Sequence, residues 1–275
     1  MIGQIVEIVS NLYTVSYDNK HYKCRARGVF RNQGITPVVG DFCKFSITKL
    51  LIEEILPRKN IFSRPKVSNI DIGIIVTSLK LPDFSINLLD RFITIMEINN
   101  VLPVICVTKK DLLSDSEFAS IKKVLDYYQD IGYTVVFNDQ VDEIKKIIKG
   151  KTVVFTGQTG AGKSTLINKL SEELALKIGE VSQALGRGRH TTRVVSLYEV
   201  DGAKVVDTPG FSSIDFSNYT LEEIKNSFVE FSLHPCIYRD CTHTGEEECN
   251  IKKCVLDNII LEERYQDYLK FIKER

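Results

Sequence analysis

Residues 157–165 read Gly157-Gln158-Thr159-Gly160-Ala161-Gly162-Lys163-Ser164-Thr165, and no other stretch constrains the fold as tightly. Gly157, Gly162, Lys163 and Ser164 meet the spacing Gly-x-x-x-x-Gly-Lys-Ser/Thr. Glycines at these positions let the backbone curl so that successive N–H groups converge on an anion. The lysine adds a point charge between outer phosphates, and the serine hydroxyl reaches a magnesium ion. Such a loop works between a strand and a helix. Thr152–Thr156 has the apolar, β-branched composition of the strand, and Thr165–Leu170 that of the helix. The run is therefore read as a P-loop that holds the phosphates of a nucleoside triphosphate, with Lys163 also acting in hydrolysis.

The flanking chain supplies a sheet for it. Ile70–Thr77 and Val101–Thr108 are continuous apolar runs, as expected of parallel strands buried on both faces. Leu88–Ile98, Phe118–Tyr128 and Val141–Ile148 read as helices, and Tyr133–Phe137 as a further strand. Strands alternating with helices predict a doubly wound α/β domain. Val194–Val200 and Ala203–Val206, joined at Asp201-Gly202, have the pattern of a hairpin.

Residues 2–56 follow a different period. Short alternating runs punctuated by Asp18-Asn19-Lys20, Gly28, Gly34, Pro37 and Gly40 predict a small barrel. Lys23, Arg25 and Arg27 alternate along one strand and so share a face, either plain solvated surface or a contact for RNA. Residues 1–66 carry 11 Lys and Arg against 5 Asp and Glu, so this end is +6 and the remainder −6 in a chain of zero net charge. That asymmetry is expected of a segment facing nucleic acid. Residues 57–68, basic and with two prolines, read as a linker. Met1 leads directly into a strand pattern without a secretory leader. No apolar run approaches the ~18 residues of a membrane helix. The expectation is a cytoplasmic protein with no membrane partner, in which cysteines serve as thiols or metal ligands.

Three further motifs surround the P-loop in sequence. Asp207-Thr208-Pro209-Gly210 ends a predicted strand and has the form of a second switch: Asp207 holds Mg²⁺, usually through water, and the Gly210 N–H meets the γ-phosphate. Gly186–Arg193, glycine-rich and basic, has the form of a first switch. Its Thr191 or Thr192 is the Mg²⁺ ligand; spacing does not choose between them, and Thr192 is grouped with Ser164 and Asp207 as the magnesium set. Thr108-Lys109-Lys110-Asp111 ends a buried strand and resembles the Asn-Lys-x-Asp motif that reads guanine. There the aspartate accepts from N1–H and the exocyclic amine, a donor pair adenine lacks. Thr108 departs from the usual asparagine. Because this motif precedes the P-loop, the order is that of a circularly permuted GTPase, and the second switch runs directly into the C-terminal segment. Phe211 stands where many GTPases carry a water-orienting glutamine, so hydrolysis should be slow unless another group substitutes; His190 is the nearest candidate.

Cys236-x4-Cys241-x-His243-x5-Cys249 brings three thiolates and an imidazole into fourteen residues. That is the ligand set of closed tetrahedral zinc. Cys254 and His234 are a fifth and sixth candidate.

Together these residues resemble the ribosome small subunit-dependent GTPase A (RsgA) family of bacteria, over essentially the whole chain. The resemblance implies a multidomain protein: an N-terminal OB-fold β-barrel (1–62), a central circularly permuted α/β P-loop GTPase domain (63–220) and a C-terminal, mostly helical zinc-binding domain (221–275). It implies hydrolysis of GTP to GDP and phosphate, stimulated by the small ribosomal subunit, in a late step of that subunit's maturation. The implied partners are that subunit and its ribosomal RNA, and the implied metals are Mg²⁺ and one structural Zn²⁺. Thr108–Asp111 and Gly157–Thr165 would bind GTP. Cys236, Cys241, His243 and Cys249 would bind zinc, leaving Cys254 outside the set. A switch docking on a large particle can work as a monomer. The competing readings are a P-loop ATPase with a zinc module, and an RNA-binding scaffold that uses nucleotide only structurally.

Overall fold

A computed structural model describes residues 1–28, 30, 34–63, 66–171, 195–207 and 214–275, with the backbone alone at residues 63 and 207. In chain order the first strands are β1 (Ile2–Val9), β2 (Leu12–Tyr17), β3 (Lys20–Ala26), β4 (Phe42–Ser46), β5 (Leu51–Ile55), β6 (Ile61–Ser63) and β7 (Lys66–Ser68). Then come β8 (Ile72–Ser78), α1 (Ile86–Ile98), β9 (Leu102–Thr108), α2 (Asp115–Asp130), β10 (Thr134–Phe137), α3 (Val141–Ile148), β11 (Thr152–Gly157) and α4 (Lys163–Leu170). The chain closes with β12 (Ser196–Val200), β13 (Ala203–Asp207), α5 (Leu221–Asn226), α6 (Val229–Leu233), α7 (Asn250–Leu256) and α8 (Glu262–Glu274). These elements fall into two compact units: Met1–Gly73 with Val141–Phe155 and Ser164–Phe211, and Ile74–Gln140 with Thr156–Lys163 and Ser212–Arg275. No helix among the described residues is long and apolar enough to cross a membrane.

In the first unit, β1, β2 and β3 form an antiparallel meander whose second turn uses left-handed Asp18 and Asn19. Strand β3 pairs parallel with β5, β5 antiparallel with β4, and β4 antiparallel with β1, closing an OB-like barrel. Alternation decides its inside: Ile5, Val15, Cys24, Cys43, Phe45 and Ile52 fill the core. Lys23 and Arg25 are exposed on the opposite face of β3 from buried Cys24, as the two-residue period requires, and Arg27 is exposed one residue beyond the strand. Gly3 lets β1 and β2 meet, since a Cβ there would stand 2.5 Å from Val15 Cγ1.

Residues 57–68 depart from the linker expectation. Strands β6 and β7 pair antiparallel, and Ser68 N–H donates to Val39 O at 2.9 Å. Arg58 donates from Nε and Nη2 to the fully buried Asp41 carboxylate, at 2.7 and 2.8 Å, and Ser68 Oγ donates to it at 2.6 Å. Asn60 bonds both the N–H and the carbonyl of Ile70. The polar composition that suggests a solvated tether instead satisfies buried groups.

The same unit holds β11 in parallel with β13, and the β12–β13 hairpin turning at left-handed Asp201 and Gly202, as the sequence predicts. Asp71 and Thr152 exchange hydrogen bonds: Asp71 N–H to Thr152 O at 2.8 Å, and Thr152 N–H to the Asp71 carboxylate at 2.9 Å.

In the second unit β10, β9 and β8 lie in that order, with β9 and β10 parallel. Ile74, Ile75, Val76, Val104, Ile105, Cys106 and Val107 are buried, which explains the unbroken apolar runs. Helices α1 and α2 start earlier than their apolar periods. Ser85 accepts from Leu88 N–H and so starts α1 two residues earlier, while Ser114 with Glu117 forms a capping box whose polar first turn gives α2 no hydrophobic signature there. The C-terminal helices enclose an aromatic core in which Phe216 stacks on Phe271 at 4.5 Å and Phe228 on Phe231 at 5.2 Å. Arg264 of α8 is fully buried between Asp90 of α1, at 2.6 Å, and Glu230 of α6. Its guanidinium also lies 4.6 Å from the Phe228 ring centroid.

Candidate nucleotide and metal sites

The phosphate loop leaves β11 at Gly157, whose φ is +131°. A Cβ there would stand 2.1 Å from Val76 O, so glycine is required by contact as well as by conformation. Gly160 and Gly162 are also left-handed, at φ +80° and +99°. The loop ends at the N-terminus of α4, where Ser164 and Thr165 are exposed. Lys163 folds back so that Nζ donates to Gly157 O at 2.6 Å and Gln158 O at 3.0 Å. Burial lowers its pKa from the ordinary lysine value. An ammonium held there can exchange a carbonyl for a phosphate oxygen.

Thr108 ends β9 directly against this loop. Its Oγ1 donates to Ala161 O at 2.6 Å, with Thr77 O at 3.3 Å, and its methyl lies 3.7 Å from where a Gly162 Cβ would be. Lys109, left-handed at φ 58°, donates from Nζ to Gly160 O at 2.8 Å and to Leu81 O. Lys110, Asp111 and Leu112 form a 3₁₀ turn. Asp111 is exposed at its centre, and the Lys110 ammonium lies 4.3 Å from the Phe118 ring centroid and 5.3 Å from that of Phe137. The Thr108–Asp111 tetrapeptide and the Gly157–Thr165 loop, separated by about fifty residues of sequence, are thus one hydrogen-bonded assembly. His190, Thr191, Thr192, Gly210 and Phe211 lie outside the described residues, and so does the Asp207 side chain.

Cys236, Cys241, His243 and Cys249 converge: their ligand atoms all lie within 4.8 Å of one another. Cys236 Sγ stands 3.8 Å from Cys249 Sγ and 3.4 Å from His243 Nδ1, and Cys249 Sγ stands 3.5 Å from the same nitrogen. A tetrahedral zinc with bonds of ~2.3 Å to sulfur and ~2.0 Å to nitrogen spaces its sulfurs ~3.8 Å apart and sulfur from nitrogen ~3.5 Å. The residues fit the ion. Burial pushes the Cys236 thiol up, but hydrogen bonds from the Ile251 and Asn250 N–H groups, at the start of α7, and from Cys241 and Cys249 together lower it. The ligand loop is braced. Glu246 accepts from Thr242 N–H and Oγ1 and from Thr244 N–H. Tyr265 donates to His243 O at 2.7 Å, and Tyr268 to Thr242 O at 2.5 Å. Cys254, buried in α7, is not among the four clustered ligands.

Local reading of the sequence does not find Leu81, whose carbonyl receives Lys109, or the Asp90–Arg264–Glu230 triad. One signal for the triad was present: Asp90 and Arg91 interrupt an otherwise apolar helical run.

A P-loop bonded to a Thr-Lys-Lys-Asp motif that precedes it in the chain has the order of a circularly permuted P-loop GTPase, an enzyme that hydrolyses GTP. The family described as RsgA GTPase matches residues 55–217, and the RsgA N-terminal domain matches residues 2–50. The chain belongs to this family. It is 43% identical to the small ribosomal subunit biogenesis GTPase RsgA of Streptococcus pneumoniae, over 100% of this chain and 94% of that one. It is 45% identical to RsgA 2 of Listeria monocytogenes, over 99% and 96%. Among solved structures it superposes on YjeQ from Thermotoga maritima with TM-score 0.86 and 31% identity, covering 99% of this chain and 97% of that one. It superposes on YloQ, a circularly permuted GTPase, with TM-score 0.83 and 33% identity, covering 99% and 94%.

Proposed function

We propose that this chain is a GTP-driven factor in the late maturation of the small ribosomal subunit, hydrolysing GTP to GDP and phosphate with stimulation by that subunit. The observation that carries the reading is full-length similarity to GTPases named for small-subunit biogenesis. Its domains are an OB-fold barrel over 1–62, the GTPase domain over 63–220 and the zinc-binding domain over 221–275. The exposed row Lys23, Arg25 and Arg27 gives the barrel a cationic face suited to ribosomal RNA. The protein acts as a monomer in the cytoplasm, where such particles are assembled.

In this reading, Asp111 selects guanine through its N1–H and exocyclic amine, and the Lys109 stem lies over the base. Lys110 completes that tetrapeptide. Gly157, Gln158, Thr159, Gly160, Ala161 and Gly162 wrap the phosphates with backbone N–H groups, and Lys163 neutralises their outer oxygens. Ser164, Thr192 and Asp207 hold Mg²⁺, with Thr191 the alternative to Thr192; the ion neutralises phosphate charge when bound. The Gly210 N–H meets the γ-phosphate. With Phe211 in place of a glutamine, His190 is the side chain assigned to orient water, and turnover without the subunit is slow. Cys236, Cys241, His243 and Cys249 hold one Zn²⁺, which closes the C-terminal domain and has no open position for catalysis.

Turnover of GTP and ATP, measured with and without small ribosomal subunits, tests the reading. Stimulated hydrolysis of GTP alone supports it. Preference for ATP, or tight GTP binding with no stimulated turnover, would replace it with an ATPase or a non-hydrolysing scaffold.

A further inference from the structure

We propose that Phe118 and Phe137 are positioning residues for guanine recognition, holding the Lys110 ammonium and through it the turn that carries Asp111. The proposal rests on the reading that Asp111 selects guanine, and adds to it two residues outside the tetrapeptide. The Lys110 ammonium stands 4.3 Å from the Phe118 ring centroid and 5.3 Å from that of Phe137. Both distances fall inside the ~6 Å over which an aromatic ring attracts a cation. The rings themselves meet edge to face, with centroids 6.3 Å apart. Glu117, the acid beside Phe118 in sequence, is paired with Lys80 at 3.0 Å, so the rings rather than that carboxylate hold the ammonium.

Both rings stand on regular structure. Phe118 lies in the first turn of α2, where its N–H donates to Ser114 O at 2.9 Å and the capping box fixes the helix start. Phe137 ends β10 in register with Val107, and Asn138 N–H donates to Val107 O at 2.9 Å. Strand β10 therefore ends level with the start of the tetrapeptide. The turn itself has less support, since Lys110, Asp111 and Leu112 are all exposed. Lys109, left-handed at φ 58°, fixes its entry to the glycine-rich loop through Gly160 O at 2.8 Å. Lys110 fixes it to α2 and β10, so consecutive cations give Asp111 two separate supports. A carboxylate that must meet two donors on one base edge tolerates little tilt, and loss of a support costs the second of those bonds first.

Affinities of the full chain for GDP and for inosine diphosphate, whose base lacks the exocyclic amine, test the assignment. The parent should prefer GDP. Lys110→Met keeps the stem and removes the ammonium, and should narrow that preference about fivefold. Lys110→Arg still places a cation on the rings and should restore it. Phe118→Leu and Phe137→Leu should each narrow it, and Lys110→Met with Phe118→Leu should do no more than either alone, because both remove one contact. A preference within about 1.5-fold of the parent in Lys110→Met, or an equal fall for the two nucleotides, overturns the proposal. If a phenylalanine variant does not fold, the lysine variants decide alone. A parent that binds both nucleotides equally removes the guanine reading and the proposal with it, whereas a parent preference that survives in Lys110→Met rejects only the role of the rings.

Discussion

The hydroxyl of Thr108 donates to the main-chain carbonyl of Ala161 at 2.6 Å, in a fully buried hydrogen bond that fastens the end of β9 to the glycine-rich loop after β11. In the proposed nucleotide site, threonine in place of the usual asparagine would thus serve as a tie between the two motifs. Thr108→Val preserves shape and removes the donor, leaving a buried carbonyl short of a partner at a cost of about 1–2 kcal/mol. Affinity for both GTP and GDP should fall about five- to twentyfold, while Thr108→Ser stays near the parent. Titration with a fluorescent guanine nucleotide reads the difference; equal affinity for the valine variant would deny the tie any role.

Asp111 is exposed at the centre of a short 3₁₀ turn whose neighbour Lys110 rests on two aromatic rings. If its carboxylate reads guanine, Asp111→Asn should weaken GTP binding about a hundredfold, because one of two matched acceptors becomes a donor. Xanthine presents a carbonyl where guanine presents its amine, so xanthosine nucleotides should gain affinity in the same variant. Competition between the two nucleotides against one fluorescent probe checks both signs.

The spacing of Cys236, Cys241, His243 and Cys249 matches a closed zinc. Metal analysis of purified protein should find about one zinc per chain. Chelation, or Cys249→Ser, should lower the melting temperature and open the C-terminal segment to protease, because a bound metal would add four bonds that join the ligand loop to the start of α7. Cys254→Ser should retain the full metal content.

Arg264 compensates two buried carboxylates, so Arg264→Met should destabilise the fold by about 3–5 kcal/mol near pH 8. The loss should shrink toward pH 5. Complete burial pushes the Asp90 carboxyl up to about 7 even beside Arg264, which pulls it down; without the arginine it rises further. A carboxyl with a raised folded pKa binds its proton in the native state above the unfolded value, so native stability falls as pH rises through that window. Denaturant melts of parent and variant at pH 5 and pH 8 give the comparison, and a pH-independent difference would count against the buried-charge account.

The local chemistry of this protein was legible from residue types at short spacing. Glycines, lysine and serine in the P-loop, and four metal-ligand side chains within fourteen residues, each lie within a few turns of chain, and the order of the Thr108–Asp111 motif before the P-loop is read directly along it. The barrel, the alternating strands and helices and the β12–β13 turn followed from periodicity and turn residues for the same reason. Tertiary structure alone decided which distant groups became partners. Arg58 finds Asp41 and converts an apparent linker into a hairpin held by the barrel. Thr108 finds Ala161, 53 residues away, and Arg264 finds Asp90, 174 residues away. A polar residue in isolation looks equally suited to solvent. Only when packing removes water from around it does the need for one particular partner arise, and that need has no signature in the neighbouring sequence.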